Sequence, residues 1–184
     1  MVNYAIILFV TCSFIGYIWE QIVCYSHSKK WRKRDYLHLP LKSIYGFIVL
    51  VGVLALELIP IKEPWMTFIV GVIVATMIEY AYSTLMGKYF GVSRWDYRKN
   101  TWFKTVKKYS YDGKISLPVS IMWGVVGLAA YYFIVPSIGV LADWLFGATY
   151  IWSSAAIFVV LIVDYALAFG KLRRKRCNTR PARL

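Results

Sequence analysis

The chain has 184 residues, of which 59% are hydrophobic, 18% are aromatic and only 17% are charged. An ordinary soluble domain has about a quarter of its residues charged, so this composition excludes that class and predicts an integral membrane protein. The net charge is +13, and all but one of the 22 Lys and Arg residues fall within 25–42, 87–115 and 171–184. These clusters flank apolar runs, where basic residues set topology and contact anionic headgroups, so they do not indicate nucleic-acid binding.

Five apolar segments are long enough, or nearly so, to cross a bilayer core, which needs about 20 residues. They are predicted as transmembrane helices over residues 4–23, 41–59, 65–86, 117–135 and 151–169. None of them shows the period-two alternation of a membrane β-barrel. The predicted fold class is therefore an all-α, polytopic transmembrane helix bundle of about five spans. One transmembrane domain is predicted over residues 1–170, followed by a basic cytoplasmic tail over 171–184.

The connections between these segments alternate in charge, and this alternation predicts orientation. The first and third connections and the tail are strongly basic. The N-terminus, the 60–64 turn and the 136–149 connection together contain a single basic residue, Lys62. By the positive-inside rule, the N-terminus is predicted to lie outside and the tail in the cytoplasm. Segment 136–147 is too short to span and is predicted to be an outer interfacial or re-entrant piece.

The third connection alternates lysines with apolar and aromatic residues at helix-like spacing. This pattern predicts a short amphipathic helix over 98–109 that lies on anionic headgroups. A basic loop with scattered interfacial aromatics fits the pattern equally well. The lysines expected to contact headgroups are Lys99, Lys104, Lys107 and Lys108, and they alternate with Trp102, Phe103, Val106 and Tyr109.

Carboxylates lie inside the predicted spans at similar depth. Glu20, Glu79 and Asp164 fall in the cytoplasmic halves of the first, third and fifth spans. Intramembrane ionisable residues usually mark sites or pathways, and a polar stripe along a helix is expected to face the bundle interior. The stripe around Glu79 consists of Thr76, Glu79, Tyr80 and Ser83.

Other chemistry has little support in the sequence. The chain has no GxxxxGK[ST] phosphate loop, no visible nucleophile–base constellation and no metal-ligand spacing, so neither a cofactor nor a metal is predicted. The two histidines, His27 and His38, lie in one basic loop and are predicted to be solvated.

Short motifs in a fixed order resemble the type IV ABC-transporter permease family of small bacterial membrane proteins. They are GYIWE at 16–20, SIYG at 43–46, EY at 79–80, WDY at 95–97, GKI at 113–115 and WG at 123–124. The resemblance implies a transporter component that works with a separate ATPase or partner subunit, or as a homo-oligomer. It also implies a shared site at Glu20, Tyr45, Gly46, Glu79, Tyr80, Trp95, Asp96, Tyr97, Trp123 and Gly124.

We infer a polar cavity that opens to the cytoplasm and serves solute transport. The inference rests on the similar depth of the carboxylates, on the polar stripe around Glu79 and on the family resemblance. In this hypothesis the substrate-binding residues are Glu20, Tyr45, Glu79, Tyr80, Asp96 and Trp123. In the alternative, the same carboxylates only hold the helices together. Two other functions stay open at this stage: a non-catalytic assembly or regulatory protein, and a membrane enzyme acting on lipid-linked substrates with Glu79 and Asp96 as acid and base.

Overall fold

A computed structural model of the chain describes residues 2–31, 37–59, 63–91, 95–99, 104–146 and 150–179. Its helices are α1 (Val2–Ser28), α2 (Ser43–Glu57), α3 (Pro64–Phe90), α4 (Lys104–Lys108), α5 (Leu117–Ala129), α6 (Val135–Phe146) and α7 (Tyr150–Thr179). A 3-10 turn at Tyr97–Lys99 precedes α4, and a π-helical segment at Ala130–Ile134 joins α5 to α6. Strands β1 (Ser110–Tyr111) and β2 (Ile115–Ser116) form a small antiparallel hairpin. The prediction of an all-α membrane bundle is confirmed.

Four of the helical segments are long and apolar enough to cross a membrane: Val2–Ser28, Pro64–Phe90, Leu117–Ala142 and Trp152–Arg174. The remaining predicted span, the second one at 41–59, corresponds to α2, which has 15 residues. At 1.5 Å per residue it is about 22 Å long, which is shorter than a hydrocarbon core of about 30 Å. The chain is therefore a helical membrane protein with four long apolar helices and one shorter one.

The ends of α3 follow from local sequence. Pro64 stands at the start of the helix, where the missing N–H costs nothing because the first amides of a helix have no intrahelical partner. At the other end Gly91 adopts φ +65° and closes the helix as a left-handed C-cap. The 27 residues of α3 contain no other proline, so the helix runs unbroken and carries Glu79 well inside the bundle.

The segment predicted to be a separate outer piece instead continues the fourth span. Helix α5 passes through the π-helical segment into α6, and Pro136 lies just after the widened turns, where its missing N–H disturbs the helix least. Helix α6 also packs on the first half of α1, since Ile138 and Ala142 are buried with Ile7 and Leu8. A length argument could not detect this continuation.

Glycines allow the closest helix contacts. A Cβ added to Gly71 of α3 would lie 3.4 Å from the Cα of Gly124 and 3.5 Å from that of Gly127, both in α5. A Cβ on Gly46 of α2 would strike Ser13 and the backbone of α1. Small residues at helix crossings let two membrane helices approach without a hydrophobic driving force. These contacts bring α1, α2, α3 and α5 together around one interior.

The third connection differs from the predicted single helix over 98–109. The structure has the turn at Tyr97–Lys99 and the five-residue helix α4, followed by the hairpin. Trp102 and Phe103 lie outside the described residues. Within α4, Val106 is buried whereas Lys104 and Lys107 are exposed, so the predicted amphipathic character persists over a shorter length. At the end of the chain, α7 runs past residue 170 to Thr179.

Candidate functional site

A buried carboxylate lies inside the bundle, in the half where α1 and α3 end. Glu79 of α3 is only 4% exposed. Its Oε1 accepts a 3.0 Å hydrogen bond from the hydroxyl of Tyr97, in the third connection. Its Oε2 is buried and has no hydrogen-bond partner within the described part of the chain. A buried acceptor without a donor is costly, so this oxygen is an unsatisfied polar atom of the site.

Trp123 of α5 stands beside this oxygen. Its indole is close enough to Glu79 to interact with the carboxyl group, although its buried Nε1–H makes no hydrogen bond of good geometry among the described residues. The indole is 6% exposed. Glu79 Oε2 and Trp123 Nε1 are therefore both buried without a hydrogen-bond partner among the described residues.

Tyr45 of α2 provides the next wall. Its ring lies 5.1 Å from that of Trp123, with the two planes tilted by 58°. On its other side the ring packs against Gly16 of α1, where an added Cβ would clash with the tyrosine ring. Gly16 thus permits an aromatic ring to fill the gap between α1 and α2.

The Tyr97 hydroxyl stays protonated in this setting. Burial raises the pKa of Tyr97 above its ordinary value, and the adjacent negative charge of Glu79 raises it further. Tyr45 and Glu20 act on the same hydroxyl in the same direction. Tyr97 is therefore the donor in its bond to Glu79, and it lies within the electrostatic reach of three other members of the cluster.

A second carboxylate in the cluster already has a cation. Lys42 Nζ, just before α2, lies 2.7 Å from Oε2 of Glu20 in α1, and both side chains are largely shielded from solvent. The backbone N–H of Lys42 also donates to the carbonyl of Ser13, at 3.0 Å. Glu79 has no such ion pair within the described residues. The two carboxylates therefore differ: Glu20 is neutralised by the chain itself, and Glu79 is not.

Residues 95–98, which we call the strap, connect Glu79 to the hairpin. The indole N–H of Trp95 donates to the carbonyl of Lys114 at 2.8 Å. The backbone N–H of Tyr97 donates to the carbonyl of Gly113 at 2.9 Å. Gly113 has φ +68°, and a Cβ there would strike Asp96 and Arg98. The strap and the hairpin are therefore one packed unit that presents the Tyr97 hydroxyl to the bundle interior.

Asp96 and Tyr80, which were predicted to bind substrate, make other contacts. Asp96 Oδ1 accepts from the backbone N–H and the Nε of Arg98, each at 3.0 Å, and this bonding lowers the pKa of Asp96. Tyr80 is 38% exposed and its ring lies 4.9 Å from Lys114 Nζ. Four of the six predicted residues therefore lie together, namely Glu20, Tyr45, Glu79 and Trp123, while Asp96 and Tyr80 support the strap and the hairpin.

The predicted headgroup lysines lie in the same connection, and all four are exposed: Lys99, Lys104, Lys107 and Lys108. Lys108 extends over the ring of Tyr109, at 5.3 Å. Their contact with lipid stays a prediction.

A separate polar cluster joins the first connection to α7. Asp164 is buried and accepts backbone N–H bonds from His38 at 2.9 Å and Leu39 at 3.1 Å. His38 Nδ1 lies 2.8 Å from Asp164, and His38 Nε2 lies 2.6 Å from Lys171 Nζ. His38 is therefore a bonded residue that fixes the connection to α7, in contrast to the solvated residue predicted from its loop.

Tyr97 and Lys42 are the members of the cluster that were not among the candidate binding residues. Tyr97 could have been identified from the sequence, because it ends the WDY motif that follows a span containing a carboxylate. Lys42 could not, because nothing in the sequence distinguishes it from the other lysines of its basic connection. Within the described residues, no group of three or more His, Cys, Asp or Glu side chains is arranged to hold a metal.

Residues 7–169 of the 184 match the family described as "Putative ABC-transporter type IV". The chain belongs to this family, as its motifs predicted. No curated protein and no solved structure matches the chain.

Proposed function

We propose that this member of the ABC-transporter type IV family is the membrane-spanning component of a transporter and that Glu79 binds the cation or proton of the transported solute. One observation carries the proposal: Glu79 is buried in a membrane helix, and its Oε2 has no hydrogen-bond partner or cation among the described residues. A carboxylate in such a place costs several kcal/mol unless a proton or a cationic group neutralises it. Glu20 meets this requirement through Lys42, which leaves Glu79 as the acceptor for a ligand.

Access to Glu79 is proposed from the cytoplasmic side of a bacterial cell membrane. The strap covers Glu79 at the bundle end beside which the basic clusters lie, and the positive-inside rule assigns that end to the cytoplasm. Glu79 is closed off in this conformation, so the proposed polar cavity opens only when Tyr97 moves away. The Tyr97 hydroxyl is joined to Glu79 by a hydrogen bond of ordinary strength, and a bond of that kind can break on a functional timescale.

The energy for transport is proposed to come from a separate ATPase chain. The family description names an ABC transporter, and the sequence has no phosphate loop of its own. A bundle with four long apolar helices is also small for a complete permease, so association with a partner subunit or a second copy is part of the proposal.

The test compares Glu79→Gln with Glu57→Gln. The first change keeps the shape of the side chain and removes its charge. The second makes the same change at an exposed residue at the opposite end of the bundle. Each variant is assayed for thermal stability in detergent and for rescue of a deletion strain grown across a panel of amines, metal cations and pH values.

We expect Glu79→Gln to insert and fold with its thermal midpoint nearly unchanged while rescue is lost, and Glu57→Gln to behave as wild type. If Glu79→Gln unfolds the bundle, Glu79 is a structural residue. If Glu79→Gln still rescues growth of the deletion strain, Glu79 does not bind the solute. Either result overturns the proposal and favours the assembly or regulatory alternative.

A further inference from the structure

A chain of polar contacts centred on His38 joins the first connection to two successive turns of α7. His38 Nδ1 lies 2.8 Å from Oδ1 of the buried Asp164, and His38 Nε2 lies 2.6 Å from Nζ of Lys171. The interval from Asp164 to Lys171 corresponds to about two helical turns, so both residues face the same side of α7. The imidazole ring therefore bridges a carboxylate and an ammonium group on one face of a single helix.

The partners of the ring determine which of its nitrogens carries the proton. Both oxygens of Asp164 already accept backbone N–H bonds, from His38 at 2.9 Å and from Leu39 at 3.1 Å, so the ring donates to Asp164 through Nδ1–H. A neutral imidazole has one N–H, so Nε2 then has a free lone pair and accepts from the Lys171 ammonium group, which can only donate. The two contacts of the ring therefore fit a neutral His38.

Protonation of His38 is incompatible with its contact to Lys171. Histidine is the side chain whose charge ordinarily changes between about pH 5 and 8, and the His38 side chain is 48% exposed, so protons from solution reach it. A proton on Nε2 would place two N–H donors and two positive charges 2.6 Å apart, so this contact has to break. The bond from Nδ1 to Asp164 would instead become an ion pair, and the first connection would stay on Asp164.

The groups around His38 leave this response to the histidine itself. The charged groups that contact His38 on α7 are Asp164 and Lys171. Tyr165 packs on the neighbouring cluster, and a phenol does not ordinarily change its charge between about pH 5 and 8. The other side chains of this cluster, from α1, the first connection and α7, are apolar, and they include Phe9, Val10, Leu37, Leu41, Leu161 and Ala168.

We propose that His38, Asp164 and Lys171 form a pH-responsive latch, which holds the basic end of α7 against the first connection while His38 is neutral and releases it when His38 is protonated. The released end begins at Lys171 and has the sequence KLRRKR over 171–176. The inference goes beyond the proposed function, because it uses neither Glu79 nor the strap. It assigns a regulatory role to a cluster on the opposite side of the first connection from the Glu20–Lys42 ion pair in sequence.

The first test is a double-mutant cycle of His38→Ala and Lys171→Met, measured as thermal midpoints of the full chain in a non-ionic detergent at about pH 8 and about pH 5. Alanine at 38 keeps the backbone N–H that bonds Asp164, and methionine at 171 keeps the length of the side chain without its charge. Arg173→Met is the matched control, because Arg173 is an exposed cation on the same helix.

We expect Lys171→Met to lower the midpoint by about 2–4 °C at pH 8, the equivalent of one hydrogen bond of ordinary strength. The same substitution should cause no loss at pH 5, and no loss at either pH in the His38→Ala background. Arg173→Met should act equally at both pH values. If Lys171→Met lowers the midpoint equally at both pH values, the latch is overturned.

The second test follows the ring signals of His38 by NMR in histidine-labelled protein, with His27, the other histidine of the chain, as internal reference. Loss of a neighbouring positive charge favours the charged form of a ring, so Lys171→Met should move the titration of His38 to higher pH. Lys171→Arg keeps the charge and should leave it in place, and His27 should titrate alike in all three proteins. A His38 titration that Lys171→Met does not move would also overturn the latch, whereas the rescue assay of Glu79→Gln decides separately on the proposed function.

Discussion

Tyr97 and Glu79 are joined by a 3.0 Å hydrogen bond although one lies in an extramembrane connection and the other inside a transmembrane helix. The backbone N–H of the same tyrosine donates to Gly113 in the hairpin turn. The strap therefore joins the hairpin to the buried carboxylate through these two hydrogen bonds. This linkage makes the contribution of each part measurable by single substitutions.

Tyr97→Phe removes the hydroxyl and leaves both oxygens of Glu79 without a donor. Loss of a bond to a buried carboxyl group should lower the free energy of unfolding by about 1–2 kcal/mol. Thermal unfolding in detergent measures the change. Tyr80→Phe is the control, since it removes the same atom from an exposed tyrosine on α3, and it should stay within about 0.5 kcal/mol of wild type. Equal effects of the two substitutions would show that the Tyr97 bond contributes nothing.

Gly113→Ala should loosen the strap, and Gly91→Ala gives the matched comparison. Both glycines have positive φ, +68° and +65°, so alanine costs each about 1 kcal/mol in backbone strain. Only at Gly113 does the new Cβ also strike Asp96 and Arg98. We expect Gly113→Ala to lower the thermal midpoint clearly more than Gly91→Ala. A larger loss in Gly91→Ala would contradict the packing of the strap on the hairpin.

Much of the bundle could be predicted because lipid imposes strong constraints on sequence. Apolar length located the helices, and the alternation of basic connections placed Glu20, Glu79, Tyr45 and Trp123 at one depth. The structure shows these four side chains in one cluster. The inward direction of Glu79 also followed from helical spacing, because Ser83, four residues on, is buried on the same face.

Other features have no periodic signal. Tyr80 follows Glu79 directly, so on a helix it points about 100° away and becomes exposed when Glu79 faces inward. Strands of two residues are too short for an alternating pattern, so the hairpin was not predicted. The continuation of α5 into α6 was missed because segment 136–147 was judged by its length alone, whereas the structure joins it to α5 through a π-helical segment. The bond between His38 and Asp164 joins residues 126 positions apart, so no local pattern indicates it.

Orientation is tested by reporter fusions. The basic clusters predict that a fusion after Lys62 reports the outside and that a fusion after Lys114 reports the cytoplasm. A paired reporter, such as alkaline phosphatase with green fluorescent protein, gives opposite signals at the two positions. An external signal after Lys114 would reverse the assignment of the strap to the cytoplasmic face.

Lipid contact by the third connection is tested by changing Lys99, Lys104, Lys107 and Lys108 to glutamine. Each lysine near an anionic surface contributes about 1 kcal/mol of attraction, so the variant should lose its preference for anionic over zwitterionic nanodiscs. Changing the same four residues to arginine keeps the charge and should keep the preference. An unchanged preference in the glutamine variant would mean that these lysines do not contact headgroups.

The central claim is that Glu79 is an unsatisfied carboxyl group that Tyr97 covers, and the labelling rate of Glu79 by an apolar carbodiimide in membranes tests it most directly. Mass spectrometry of the labelled peptides compares wild type with Tyr97→Ala and uses Glu57 as the internal control. The account predicts that Tyr97→Ala raises the labelling rate of Glu79 about tenfold, the equivalent of one lost hydrogen bond of about 1.4 kcal/mol, while Glu57 is labelled at the same rate in both proteins. Equal rates at Glu79 in the two proteins would contradict it.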